Sequence, residues 1–156
     1  MQVNKRENTI IKMIKVLILV TIAYSFISLY TMTSGLYDIR EIVSYNEVNT
    51  IRFISIFINL MVLLVFSRSM ELYKNKKINE AIVILTILLI CEVFLQQALI
   101  IFGFILLIYT MVVNNKIKVK EVFSKVDWKD IKLELVFSSF IVVFSLITLF
   151  AYLKIR

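Results

Sequence analysis

Of the 156 residues, 60% are hydrophobic and 19% charged, and the mean hydropathy is +0.90, a balance far outside that of a soluble globular domain and expected of a membrane protein. The formal charge of +7 comes from 18 Lys and Arg against 11 Asp and Glu; the basic residues flank apolar runs, which points to orientation and contact with anionic lipid headgroups and away from nucleic acid. With no His, two Gly and a single Cys, the chain lacks the inventory for a Ser-His or Cys-His pair, an HExxH zinc site, a His-ligated haem, a GxxxxGK phosphate loop or an internal disulfide.

The chain opens with Lys5, Arg6, Lys12 and Lys15 ahead of a charge-free run from Val16 to Tyr37. That run is too long for the apolar core of a secretory signal, and no A-x-A site follows it. An uncleaved first helix over residues 14–36, with its N-terminus in the cytoplasm, is expected. The next segment, TSGLYDIREIVSYNEVNT, holds Tyr37, Asp38, Arg40, Glu41, Tyr45 and Glu47. Its alternating charge signs suit a solvated outer loop or a short interfacial helix, the other reading being recognition of an extracellular peptide.

A second charge-free window, Phe53 to Ser67, supports a span over 49–67 with Asn59 placed for an interhelical hydrogen bond. The third, Ala81 to Asn115, is interrupted only by Glu92. As one helix, Ala81 to Val113 would be about 50 Å long against a hydrocarbon core of roughly 30 Å, which would need a tilt outside the usual range of about 0 to 40°. The alternative is a hairpin, with crossings over 78–95 and 97–115 and a reversal between Glu92 and Gln97.

The Lys/Arg distribution favours the hairpin. Five crossings put 14 of the 18 basic residues on the cytoplasmic side, whereas four crossings put only 10 there. The difficulty is chemical, because no Gly, Pro or Asn lies between Glu92 and Gln97 to make the turn. In the hairpin, Glu92, Gln96 and Gln97 are expected at the outer interface, where water satisfies them. In the four-crossing alternative Glu92 lies in the bilayer and shares a helix face with Gln96, forming a candidate polar transport site with Gln97 and Asn59.

After Asn115, the segment KIKVKEVFSKVDWKDIKLELVF spaces Val119, Val122, Phe123, Val126 and Ile131 near a helical stripe, with Lys118, Lys120 and Lys125 between them. A basic amphipathic interfacial segment over 116–132 is expected, anchored by Trp128 and available to lipid or to a partner. Ser124 and Asp127 have the spacing of a capping box, which places the start of the last helix near Lys125 and its span over 133–153. With Gly only at positions 35 and 103 there is no GxxxG motif. Packing is expected to rest on Ile, Leu, Val and Phe, with Thr21, Ser25, Ser28, Ser55, Ser138, Ser139, Ser145 and Thr148 as structural glue.

The expected fold is all-α, a single polytopic membrane domain over 1–156 with five (alternative four) transmembrane helices. The heavy use of Ile, Lys and Asn in a small multi-span chain is similar to membrane proteins of AT-rich bacteria, among them accessory subunits and self-immunity proteins. That likeness is compositional and transfers no residue roles. The expected function is non-enzymatic and cofactor-free: a multi-pass cell-membrane protein that binds a membrane-protein partner or a second copy of itself. Its role would be accessory or regulatory, or immunity against a peptide toxin. The alternative is a small solute or ion transporter using Glu92 and Gln96.

Overall fold

The computed structural model describes residues 5–32 and 47–155. Their regular structure is entirely helical: α1 (Lys5–Met32), α2 (Glu47–Lys74), α3 (Ile78–Phe94), α4 (Ala98–Asn114), a single turn α5 (Val119–Val122) and α6 (Lys132–Ile155). Helices α1, α2 and α6 are each long and apolar enough to cross a membrane, which is compatible with a membrane bundle. The expected loop carrying Tyr37, Asp38, Arg40, Glu41 and Tyr45 lies outside the described residues.

Continuous Ile, Leu, Val and Phe runs without proline let each segment satisfy its backbone hydrogen bonds internally, as a lipid environment demands. Helix α1 packs on α2 and α4, and α3 packs on the same two, which closes a four-helix ring. Helix α6 lies outside that ring against α2 and α3. Because α3 is covered by α2, α4 and α6, its residues Ala81 to Leu85, Leu88, Cys91 and Glu92 are all buried.

Inside the ring, the Phe66 and Phe104 rings meet edge to face at 5.5 Å. Gly103 on α4 sits against Ile14 of α1, where an added Cβ would fall 2.9 Å from the Ile14 side chain. This one small residue sets the close approach of α1 and α4, a role the expected packing by large apolar residues alone did not include. On the outside, Leu19, Tyr24 and Ile27 of α1, Phe102 and Tyr109 of α4, and Phe140, Phe144 and Phe150 of α6 are exposed. An apolar surface on this scale is that of a protein solvated by lipid.

The long apolar run is not one helix, because α3 ends at Phe94 and α4 starts at Ala98. The reversal is a Schellman turn: Gln96 takes a left-handed conformation (φ 58°), its N–H donates to Val93 O, and the Gln97 N–H donates to Glu92 O. The same turn follows α2, with Lys76 at φ 66°, and follows α4, with Lys116 at φ 50°. None of the three uses the glycine that such positions favour.

One boundary departs from expectation. The last helix begins at Lys132, not near Lys125, because the Ser124–Asp127 capping box does not form. The Ser124 hydroxyl donates back to Glu121 O instead, and the Asp127 carboxylate accepts from the Lys129 N–H in a local turn.

Candidate functional site

Two groups of polar side chains stand out, one at the α3/α4 hairpin and one at the opposite end of the bundle. At the hairpin, Glu92 occupies the last turn of α3 and Gln97 the second position after the turn, the pair of sites where a Schellman motif usually makes an apolar contact. Here both are polar. Gln97 Nε2 donates to Asn59 Oδ1 at 3.2 Å, and Asn59 Nδ2 donates to Ser55 O at 2.8 Å, which ties the hairpin to α2.

Glu92 is fully buried, and among the described residues both its carboxyl oxygens lack a hydrogen-bond partner, as does Gln97 Oε1. The expectation that a hairpin places Glu92 at a watery interface is therefore corrected. The chain does reverse here, yet Glu92 points into the bundle because it lies one turn before the reversal, on the face of α3 covered by its neighbours. Gln96, at the tip, is exposed and does not share a site with Glu92. A carboxyl group removed from water without a partner costs about 1–3 kcal/mol on mutational scales, so this position is not chosen for stability alone. On α6, Ser145 places a buried hydroxyl against the Cys91 thiol of α3, and Ser138 a buried hydroxyl that has no hydrogen-bond partner among the described residues.

The opposite end is tied together by a different set. Tyr73 Oη donates to Glu7 Oε2 at 2.9 Å, Asn114 Nδ2 donates to Glu7 Oε1 at 2.7 Å, and Asn115 Nδ2 donates to Tyr73 Oη at 3.3 Å. The buried Glu7 thus joins α1, α2 and α4. These residues were not anticipated; the available signal was a lone carboxylate among the N-terminal lysines and arginine.

The connector between α4 and α6 is docked on the same end. The Asp127 N–H donates to Glu80 Oε1 at 3.1 Å, Lys77 pairs with Asp130, and Val122, Val126 and Ile131 are buried. The structure thereby divides the expected contact stripe. Val122 and Val126 face the protein's own core, whereas Val119, Phe123 and Trp128 are exposed. Lys118 and Lys125 bridge to Glu121, and Lys120 is exposed among them.

No family model, curated protein or solved structure matches this chain. No cluster of three or more His, Cys, Asp or Glu side chains suited to a metal occurs among the described residues. Several expected glue residues bond within their own helices: Thr21, Ser55, Ser139 and Thr148 each donate to the carbonyl four residues back. Ser28 differs in accepting across the bundle from Arg52 Nη1 at 2.8 Å.

Proposed function

We propose that the chain is a five-crossing protein of a bacterial cell membrane, with its N-terminus and connector in the cytoplasm, and that it acts by binding a membrane-protein partner as an accessory or regulatory subunit. Immunity against a peptide toxin is a narrower form of the same activity. One observation carries this reading: the connector is a formed surface rather than a tether. Its inner face is fixed to α3 through Glu80, Lys77 and three buried apolar residues, so Phe123, Val119 and Trp128 are held outward among lysines. Exposed aromatic side chains carried on a folded support are the kind of anchor a partner's pocket takes.

The crossing count is supported by the reversal at Gln96 and by the concentration of Lys and Arg at one end. Cysteine labelling in intact cells tests it, using a Cys91→Ser background with Gln96→Cys or Ser124→Cys. Labelling of position 96 from outside, with position 124 protected, is the expected result; the reverse pattern overturns the topology. For the binding surface, Phe123→Ser should remove partner-dependent function while leaving stability within about 0.5 kcal/mol, as surface changes do. Val122→Ser should act by loosening the fold instead. Loss of function with Glu92→Gln but not with Phe123→Ser would sink the proposal.

A second reading, transport of a proton or small cation through the bundle, is supported by the partnerless, fully buried carboxylate of Glu92. It requires cation flux in liposomes that Glu92→Gln abolishes. Wild-type flux in that variant would dismiss it.

A further inference from the structure

Between α2 and α6, near the connector end, lies a groove of about 410 Å³. Helix α2 runs toward the connector end and α6 runs away from it, so the groove is graded along its length. Met61, Leu64 and Val65 of α2 and Phe137 of α6 line the deeper part, and Arg68, Glu71 and Glu134 line the end nearer the connector. From Met61 to Glu71 the groove follows α2 for about 15 Å at the helical rise of about 1.5 Å per residue.

That gradient matches a phospholipid lying with an acyl chain in the groove and its headgroup at the charged rim. The rim also discriminates among headgroups. It holds one guanidinium and two carboxylates; Arg68 Nη1 donates to Glu71 Oε2 at 2.9 Å, and Glu134 stands on the opposite wall in the first turn of α6. An arginine carries five N–H donors, so its contact with Glu71 leaves donors to offer a phosphate. An anionic headgroup would meet two carboxylates for each arginine. A quaternary ammonium has no N–H to donate to them, whereas a primary ammonium does.

We propose that the groove between α2 and α6 is a binding site for a zwitterionic phospholipid with a primary-amine headgroup, whose phosphate is held by Arg68 and whose ammonium is held by Glu134 and Glu71. The site rests on the membrane location argued above but not on the direction of insertion, since both membrane faces offer such an interface.

The test is native mass spectrometry of the full chain, purified in detergent and given an equimolar mixture of phosphatidylethanolamine-, phosphatidylglycerol- and phosphatidylcholine-type lipids with identical acyl chains. The primary-amine lipid should be retained about tenfold over the others, the scale of one hydrogen bond to a charged group. Arg68→Ala should lower retention of all three lipids, and the double change Glu71→Gln with Glu134→Gln should abolish the preference for the amine alone. Lys120→Ala, a basic change away from the groove, should leave both unchanged. Preferential retention of the anionic lipid, or an amine preference that survives the double change Glu71→Gln with Glu134→Gln, overturns the proposal. So does disulfide-linked dimer formation by Leu64→Cys in a Cys91→Ser background, because a second copy would then cover the groove. A chain that partitions with soluble proteins on cell fractionation refutes the membrane location itself, a result distinct from a membrane-bound chain without lipid preference.

Discussion

Replacing Glu92 by Met should stabilise the protein. The side chain is fully buried and neither oxygen has a hydrogen-bond partner among the described residues, so the folded bundle carries the desolvation cost of a polar group without compensation, about 1–3 kcal/mol on mutational scales. Methionine is unbranched and adaptable, and fills the same volume without polar atoms. The expected gain is therefore about 1–3 kcal/mol, or roughly a tenfold to hundredfold shift of the folding equilibrium. Glu92→Gln keeps two polar atoms in place and should change stability little. Reversible unfolding in mixed micelles of mild detergent and dodecyl sulfate, followed by circular dichroism, measures both. A loss of more than about 1 kcal/mol with Met would refute the reasoning, since it would mean that the carboxylate has a partner in the folded protein. Gained stability combined with lost activity would instead identify Glu92 as a group retained for function at the expense of the fold.

Gln96→Gly should raise stability by about 1 kcal/mol by relieving the left-handed conformation at φ 58°, whereas Leu95→Gly, at an ordinary φ of −79°, should lower it; the same unfolding assay compares them. Tyr73→Phe removes a hydrogen bond to a buried carboxylate and should cost about 1.5–3 kcal/mol. In a double-mutant cycle with Glu7→Ala it should show a coupling of about 0.5–3 kcal/mol; strict additivity would show that the two residues do not act together. Docking of the connector should be insensitive to pH across the neutral range. The hydrogen bond to Asp130 raises the Lys77 pKa above the lysine value of 10.5, so its contribution is complete below that value and is lost only as the pH rises through the higher folded value. The hydrogen bond from Lys125 lowers the Glu121 pKa below 4.5, so its contribution is complete above that value and is lost as the pH falls through the lower folded value. Thiol labelling of Val126→Cys in a Cys91→Ser background measures this, and a transition between about pH 6 and 9 would contradict it.

The hairpin was legible because helix length and the Lys/Arg distribution are global quantities that do not depend on how the turn is made. The turn itself was not, since Gln96 adopts a conformation that sequence rules assign to Gly or Asn, and the surrounding ladder of hydrogen bonds imposes it. Glu92 is legible as an outlier in an apolar run, but its burial within the bundle is not. Proximity to a reversal suggests water, yet at one turn's distance the face of the helix decides burial, and hydropathy does not report the face. The connector shows the opposite failure. Its apolar spacing is visible, but Val122 and Val126 are buried in the core while Phe123 and Trp128 are exposed, a division set by tertiary contacts such as Asp127 to Glu80, made 40 or more residues away in the chain. The Glu7 network joins three helices through residues 66 and 107 positions apart, and no local pattern encodes such a pairing.

The equal lengths of α3 and α4 bear on the bilayer itself. Each has 17 residues, or about 26 Å at the helical rise, a few Å less than a hydrocarbon core of roughly 30 Å. Helix α3 exposes Ile90 and Val93 near the hairpin, whereas α4 turns Leu99, Phe102, Ile105 and Tyr109 outward along most of its length, so in the proposed topology lipids along that flank must shorten to meet it. The flanks of α1 and α6, with 28 and 24 residues, make no such demand. The protein would therefore dimple the membrane on one side only, at fractions of a kcal/mol per Å of mismatch. A neighbour with an equally thin flank would relieve that deformation, giving lateral association a preferred direction without any specific side-chain contact.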